Sequence, residues 1–210
     1  LEAIPVAMKG RDVCGRAKTG SGKTLAFGIP MLSRMIGSAG PNTPLGLVLV
    51  PTRELAVQVA EVLQPVAASA GITVAPVYGG ASREHQVRDL QRGVELVVAT
   101  PLRLIDLIKS GEVDLGDVQI VCLDEADRMA DDGFTPQVEW ILRHCTGRSQ
   151  TMLFSATLDG DVGHLIRHYL SDPIEVAIDS ATDTVGTMHH LFLAVHHMDK
   201  ARVAGAISET

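Results

Sequence analysis

Ala17-Lys18-Thr19-Gly20-Ser21-Gly22-Lys23-Thr24 follows a short strand-like run, Asp12 to Gly15, and precedes an apolar stretch of helical period, Leu25 to Ile36. This order of strand, glycine-rich loop and helix opens a βα unit, and the loop nearly matches the pattern GxxxxGK[ST]. Its glycines allow backbone N–H groups to curl around phosphate oxygens, and the helix N-terminus adds a favourable dipole. Lys23 is placed to reach the outer phosphates of a nucleotide, and the Thr24 hydroxyl suits Mg²⁺. Ala17 stands where the general pattern has glycine. The plainer alternative, a glycine-rich turn that merely opens a helix, is the weaker reading in this setting.

Outward from that loop, short apolar runs alternate with segments of helical period about six times, which predicts an α/β fold with a mostly parallel sheet. The strand candidates are Asp12 to Gly15, Gly46 to Val50, Thr73 to Tyr78, Leu96 to Ala99, Gln119 to Leu123, Thr151 to Phe154 and Ile174 to Ile178. Near-continuous runs such as Leu47-Val48-Leu49-Val50 fit strands covered by helices on both faces. The helix candidates are Glu54 to Ala70, Ser82 to Gln91, Arg103 to Ser110, Pro136 to His144 and Asp161 to Leu170, with spacings such as Leu55, Val59, Val62 and Val66. Gly37 to Pro44 reads as an exposed loop. The expected organisation is a globular unit over 1–178, a polar linker over 179–187 and, over 188–210, the opening of a second unit with one strand-like run at Leu191 to Val195.

The chain has 210 residues, 46% hydrophobic and 20% charged, with one Trp, two Tyr and four Phe. That is ample for one sizeable core and excludes disorder, collagen and coiled coil. No apolar stretch approaches the ~18 to 20 residues of a membrane-spanning helix, so a soluble protein with no membrane partner is expected. The formal charge of −7 argues against coating nucleic acid through bulk basic charge, while leaving room for a local basic groove. Cys14, Cys122 and Cys145 are widely spaced and form no CxxC motif, which predicts buried free thiols in a reducing, cytoplasmic setting. The chain starts at Leu1 without a leader pattern, so the expectation is a fragment without a signal peptide.

A second chemical signal is Ile120-Val121-Cys122-Leu123-Asp124-Glu125, an apolar strand that ends in two acids. Strand ends in such sheets face the ligand crevice. Asp124 suits Mg²⁺, since a hard cation bridging phosphates takes carboxylate oxygen. Glu125 is then placed to orient or deprotonate an attacking water. The alternative is a pair of acids that only favour a helix N-terminus. His164 and His168 are four apart on a predicted helix, but the HExxH glutamate is missing and a metal site there is not expected. His189-His190 and His196-His197 are adjacent pairs near a strand, where neighbours face opposite ways.

Asp124-Glu125-Ala126-Asp127 spells DEAD, and around it stand AKTGSGKT at 17–24, Pro51-Thr52-Arg53-Glu54-Leu55, Gly79-Gly80, Thr100-Pro101-Leu102-Arg103-Leu104 and Ser155-Ala156-Thr157. With these motifs in this order, the chain resembles the first RecA-like lobe of a DEAD-box RNA helicase from Leu1 to about Ile178. Ala17 is what that family uses. The resemblance implies a RecA-like P-loop NTPase fold and a site in which residues 17–24 bind ATP. Lys23, Asp124 and Glu125 would then carry catalysis, with Thr24 and Asp124 at Mg²⁺. It further implies RNA-backbone contacts from Pro51, Thr52, Arg53, Gly79, Gly80, Thr100, Pro101 and Arg103, with Arg53 and Arg103 pairing with phosphates. A plainer view makes Arg53 and Glu54 an ordinary surface pair at a helix start. Asp127, Ser155 and Thr157 would couple nucleotide state to unwinding, through a hydroxyl-to-carboxylate hydrogen bond with Asp127 as the partner. Leu102 departs from the family's TPGRL and puts the geometry of that contact in question, since glycine supplies either positive φ or close backbone approach.

The implied function is an ATP-dependent RNA helicase lobe that grips RNA by its backbone and couples ATP hydrolysis to local duplex separation. Few aromatic side chains are available to stack bases, which favours sequence-independent backbone binding. A GTPase would need an Asn-Lys-x-Asp reader, yet the one asparagine, Asn42, precedes Thr43. Two alternatives stand beside this reading: a related DNA helicase lobe, and a non-catalytic nucleotide- and RNA-binding module. In the family a second RecA-like lobe supplies arginines to the ATP site, and such a finger contributes ~10³ to 10⁵ in rate. The lobe by itself is therefore expected to be monomeric and weakly active or inactive. The family's adenine-reading glutamine precedes the segment matching Leu1 to Pro5, so adenine preference is implied by resemblance only.

Overall fold

The computed structural model describes residues 3–17, 22–35 and 37–178. In chain order the elements are α1 (Ala3–Met8), β1 (Val13–Ala17), α2 (Lys23–Arg34), β2 (Gly46–Leu49), α3 (Arg53–Ser69), β3 (Val74–Val77), α4 (Arg83–Gln91), β4 (Leu96–Ala99), α5 (Pro101–Lys109), β5 (Ile120–Asp124), α6 (Ala126–Asp131), α7 (Thr135–His144), β6 (Gln150–Ser155), α8 (Gly160–Tyr169) and β7 (Ile174–Ile178). The strands form one sheet in the order β3-β4-β2-β5-β6-β1-β7. Every pairing is parallel.

Parallel strands need crossover connections, and the intervening helices cover both faces of the sheet. Alternate residues of each strand accordingly divide between two apolar cores. Leu47, Leu49, Val97, Val121, Leu123 and Leu153 pack with Leu104 and Leu107 of α5, Met129 of α6, Ile141 of α7 and Leu165 of α8. Val48, Val98, Ile120, Cys122, Met152 and Phe154 pack with Phe27 and Met31 of α2 and Val59 and Leu63 of α3. This two-sided burial is why the central strands read as unbroken apolar runs. Gly28 permits α2 and α3 to touch, because a Cβ there would lie 2.1 Å from Leu63 Cδ2.

Two strands, Leu96–Ala99 and Ile174–Ile178, have the expected bounds, the other expected strands and helices are shifted by one or two residues at one or both ends, and α1 and α6 are additions to the sequence reading. The six-residue helices α1 and α6 are too short to show a helical period. Asp12 lies before β1 rather than in it, and the strand runs on to Ala17. The Asp12 carboxylate instead accepts N–H bonds from Thr151 at 2.7 Å and Ser171 at 2.6 Å, tying β6 and the loop before β7 to the start of β1. α5 begins at Pro101, whose missing N–H costs nothing in a first turn. Gly37 to Pro44 is a loop with a buried end at Pro44, held down where Asn42 N–H donates to Leu90 O. The run Leu191 to Val195 and the histidine pairs after it lie outside the described residues.

Asp12→Ala leaves buried N–H groups without acceptors, each costing about 1–3 kcal/mol. Urea unfolding should show a lower midpoint with an unchanged m-value; an unchanged midpoint would remove Asp12 from this role.

Candidate functional site

Because the strands run in one direction, their C-terminal ends share an edge, and each motif leaves the sheet there. β1 ends at Ala17, β2 leads to Pro51-Thr52-Arg53, and β3 leads to Gly79-Gly80. β4 leads to Thr100-Pro101, β5 ends at Asp124, and β6 ends at Ser155. Lys18, Thr19, Gly20 and Ser21 lie outside the described residues, so the loop is seen at its two ends.

At the far end, Gly22 caps α2 in the left-handed conformation with φ 78°, and among the described residues no side chain caps the helix. The first turn of α2 carries no acidic residue of its own, which leaves the helix dipole favourable to an anion at this end. Lys23 turns inward, with Nζ 3.2 Å from Asp124 Oδ1, and the two side chains are 7% and 3% exposed. Asp124 Oδ1 also accepts the Glu125 N–H at 3.0 Å. Burial raises the Asp124 carboxyl above its ordinary range, outweighing the opposing pull of the Lys23 ammonium. The donor set fits a magnesium nucleotide: an ammonium beside an uncapped helix N-terminus for phosphate, and hard oxygen from Thr24 and Asp124 for the cation.

Glu125 sits at φ 53°, ψ 50° as the N-cap of α6. A non-glycine residue in that region is strained by about 1–2 kcal/mol. The bond from its N–H to Asp124 and the Met129 N–H donated to its carbonyl hold it there. Its side chain is only 11% exposed and lies 3.7 Å from Arg128 Nη1.

The expected link between Asp127 and Ser155 is present with different atoms. Ser155 Oγ accepts the Asp127 backbone N–H at 3.2 Å, and the Asp127 carboxylate accepts the Ala156 N–H at 3.1 Å. The hydroxyl-to-carboxylate bond is thus replaced by two backbone donors. β5 and β6 are neighbours in register, Asp124 opposite Phe154, which brings these backbones abreast. Thr157 is exposed beyond this pair.

On the other half of the edge, Thr52 caps α3 by accepting the Leu55 N–H at 3.3 Å. Arg53 is 65% exposed and paired with Glu54, so the ordinary surface pair weighed above does exist. Gly80, at φ 87°, would place a Cβ 3.8 Å from Arg53 Nη1, so the Gly79-Gly80 turn adjoins that guanidinium. Arg103 is half-buried and committed: Nη1 donates to Gln86 Oε1 at 3.1 Å and to Ala81 O at 3.4 Å, and Gln86 Nε2 donates to Tyr78 O at 3.0 Å. Arg103 thus braces the glycine turn through Nη1, a contact that the sequence reading did not include. Gln86 was missed; its place four residues before Leu90 on the inner face of α4 was the available signal. Leu102 lies in the first turn of α5 and is 53% exposed. It is not among the positive-φ residues, so only the space it fills, not the backbone, separates it from glycine.

The remaining candidates are structural. His164 Nε2 lies 2.7 Å from Glu139 Oε1, and its ring is 4.0 Å from that of His168. Among the described residues no group of three or more His, Cys, Asp or Glu is arranged to hold a metal. The three cysteines are free and buried. Desolvation pushes Cys14 up to about 11 and Cys145 to about 12, which keeps them protonated near neutrality.

Residues 1–165 match the DEAD/DEAH box helicase family model. The chain is 46% identical over 188 residues to a probable ATP-dependent RNA helicase, ddx17, of Dictyostelium discoideum, a match covering 87% of this chain and 24% of that protein. A hypothetical ATP-dependent RNA helicase from Sulfolobus tokodaii superposes with a TM-score of 0.77 at 38% identity, covering 84% of this chain and 50% of that one. A DEAD box protein from Methanococcus jannaschii does so with a TM-score of 0.77 at 33% identity, covering 85% and 48%. The chain spans between 24% and 36% of the length of the curated relatives it matches. No described helix is long and apolar enough to cross a membrane.

Breaking a buried ion pair by removing one partner costs about 3–5 kcal/mol, whereas apolar replacement of both is far milder. Lys23→Met and Asp124→Leu should each destabilise the chain more than the double variant does. Additive losses in thermal or urea unfolding would show that the two groups do not interact.

Proposed function

The chain belongs to the DEAD/DEAH box helicase family, and on that premise we propose that it is the ATP-binding and RNA-backbone-binding lobe of an ATP-dependent RNA helicase. The observation that carries this reading is the buried Lys23–Asp124 pair at 3.2 Å, beside an uncapped helix N-terminus and a strained, adjacent Glu125. In this reading the loop 17–24 cradles the phosphates, Lys23 bears on the outer ones, and Thr24 and Asp124 hold Mg²⁺. Bound Mg²⁺ neutralises charge that develops on the phosphoryl group. Glu125, fixed by its backbone bonds, accepts a proton from the attacking water. Asp127, Ser155 and Thr157 couple this centre to movement of the strand.

RNA lies along the other half of the edge. Pro51, Thr52, Arg53, Gly79, Gly80, Thr100 and Pro101 present small surfaces, helix N-terminal N–H groups and one exposed guanidinium to the sugar-phosphate chain. Arg103 joins them as a phosphate contact while its Nη1 fixes the glycine turn. Support for backbone contact comes from Thr100, which opens α5 without a side-chain cap. Such contacts carry no sequence information, so the RNA is recognised as a strand rather than as a sequence.

The proposed organisation is a first RecA-like lobe over 1–178, a linker over 179–187 and the start of a second lobe over 188–210. Support for the first boundary comes from the division of the chain at Ser180; the linker and the start of the second lobe lie outside the described residues. The second lobe of the same protein is the main partner, and the first lobe by itself is monomeric. A cytoplasmic location accords with three free, buried thiols.

Glu125→Gln in the two-lobe protein should bind ATP normally and lose turnover; full turnover would sink the role given to Glu125. Lys23→Ala should weaken nucleotide binding in a titration. ATP hydrolysis should be stimulated by RNA, with stimulation by DNA alone rejecting the RNA assignment. The isolated lobe should show little of either.

A further inference from the structure

Gln86 is a buried polar side chain on the inner face of α4, 8% exposed, in a helix whose other buried residue is Leu90. An apolar residue there would pack without desolvating an amide, so a buried glutamine is tolerated where both its donor and its acceptor find partners. Gln86 uses both: Nε2 donates to Tyr78 O at 3.0 Å, and Oε1 accepts Arg103 Nη1 at 3.1 Å. The same Nη1 donates to Ala81 O at 3.4 Å. Tyr78 and Ala81 flank Gly79-Gly80, so the carbonyls on either side of the diglycine turn are held, one by Gln86 directly and one through Arg103. Ser82 seats the amide by capping α4, its Oγ accepting the His85 N–H at 3.3 Å and its carbonyl the Gln86 N–H at 3.4 Å. One side chain thus joins α4, the turn after β3 and the first turn of α5.

We infer that Gln86 is a positioning residue for the RNA strand, setting the Gly79-Gly80 turn and the guanidinium of Arg103 as one rigid surface. The inference deepens the reading above and rests on it, since Arg103 must meet a phosphate there. With Nη1 committed, the guanidinium is held against swinging about its stem. Its Nε and Nη2, which form no other hydrogen bond among the described residues, then keep a fixed planar edge for two phosphate oxygens. Both glycines are exposed, and a Cβ at Gly79 would meet nothing within 4 Å, so the backbone beside that edge is open to a sugar-phosphate chain. Holding these groups before the strand arrives removes the cost of ordering them on binding. The effect of Gln86 therefore falls on the affinity for RNA, and it reaches the strand through Arg103 and the glycine turn.

The test uses the protein carrying both lobes and measures binding of a single-stranded oligouridylate over a series of salt concentrations, with Mg²⁺ and a non-hydrolysable ATP analogue. Each phosphate contact to a single strand contributes about 0.7 to the slope of log K against log salt. Arg103→Met should weaken RNA binding and make that slope shallower by roughly this amount. Gln86→Met, close in length and volume to glutamine, should weaken binding about fivefold, the worth of one hydrogen bond, and make the slope shallower in the same sense. In ATP hydrolysis the RNA concentration for half-maximal stimulation should rise by the same factor, while kcat at saturating RNA and the nucleotide Kd stay unchanged. In the Arg103→Met background, Gln86→Met should cost at most about twofold more. Gln86→Asn, which keeps the amide but reaches one methylene less far, should act like Gln86→Met and replaces it if that variant does not fold. A lower melting temperature with RNA affinity and slope unchanged makes Gln86 structural and overturns the inference, as do losses that simply multiply in the double variant. If Arg103→Met leaves affinity and slope unchanged, the phosphate contact itself fails and the inference falls with it. If Arg103→Met makes the slope shallower and Gln86→Met does not, only the role of Gln86 fails.

Discussion

Parallel pairing of all seven strands is the constraint on which the rest of this molecule depends. Parallel neighbours must be joined by crossovers, the crossovers become helices on both faces, and the sheet has one edge at which β1 to β6 each hand over to a helix. Loops separated by scores of residues in the chain are thereby brought onto a single rim. Asp124 follows Lys23 by about a hundred positions, yet the two meet at 3.2 Å because β1 and β5 flank β6 and end together. Loss of the parallel register would disperse the nucleotide half and the strand half alike.

The rim is costly to build. Lys23 and Asp124 are both desolvated, and Glu125 is held in a backbone region that non-glycine residues avoid. Buried ion pairs are weak evidence for stability, and strain of this kind persists only where neighbouring bonds over-determine it. The stability that tolerates these features comes from the two apolar cores, where strand residues from Leu47 to Phe154 are fully buried on alternate faces. Separation of roles follows: the cores hold the sheet, the Asp12 carboxylate and the Arg103–Gln86 clamp set loop positions, and the edge is left with polar groups under tension.

Much of this was legible beforehand. Continuous Leu-Val runs gave the covered strands, and the loop from Ala17 to Thr24 gave the first βα junction. Short elements were not legible, because α1 and α6 are under two turns long and leave no periodic trace. Arg103 illustrates a different limit: its residue type suits phosphate, and only the fold shows its Nη1 turned to Gln86 and Ala81. The Ser155–Asp127 contact was anticipated as to partners and wrong as to atoms, since the backbone N–H groups that make it have no signature in residue identity.

The amino-acid order by itself determined the strand–loop–helix grammar, the chemistry offered at each loop and the family resemblance, because these follow from local periodicity and residue type. Tertiary structure alone decided which side chains meet. Lys23 is turned onto Asp124 rather than into solvent, Arg103 reaches the glycine turn through Nη1, Arg53 stays largely exposed beside Glu54, and Arg128 faces Glu125. Those outcomes depend on strand order and register, which are set by the packing of whole layers and are written in no single stretch of the chain.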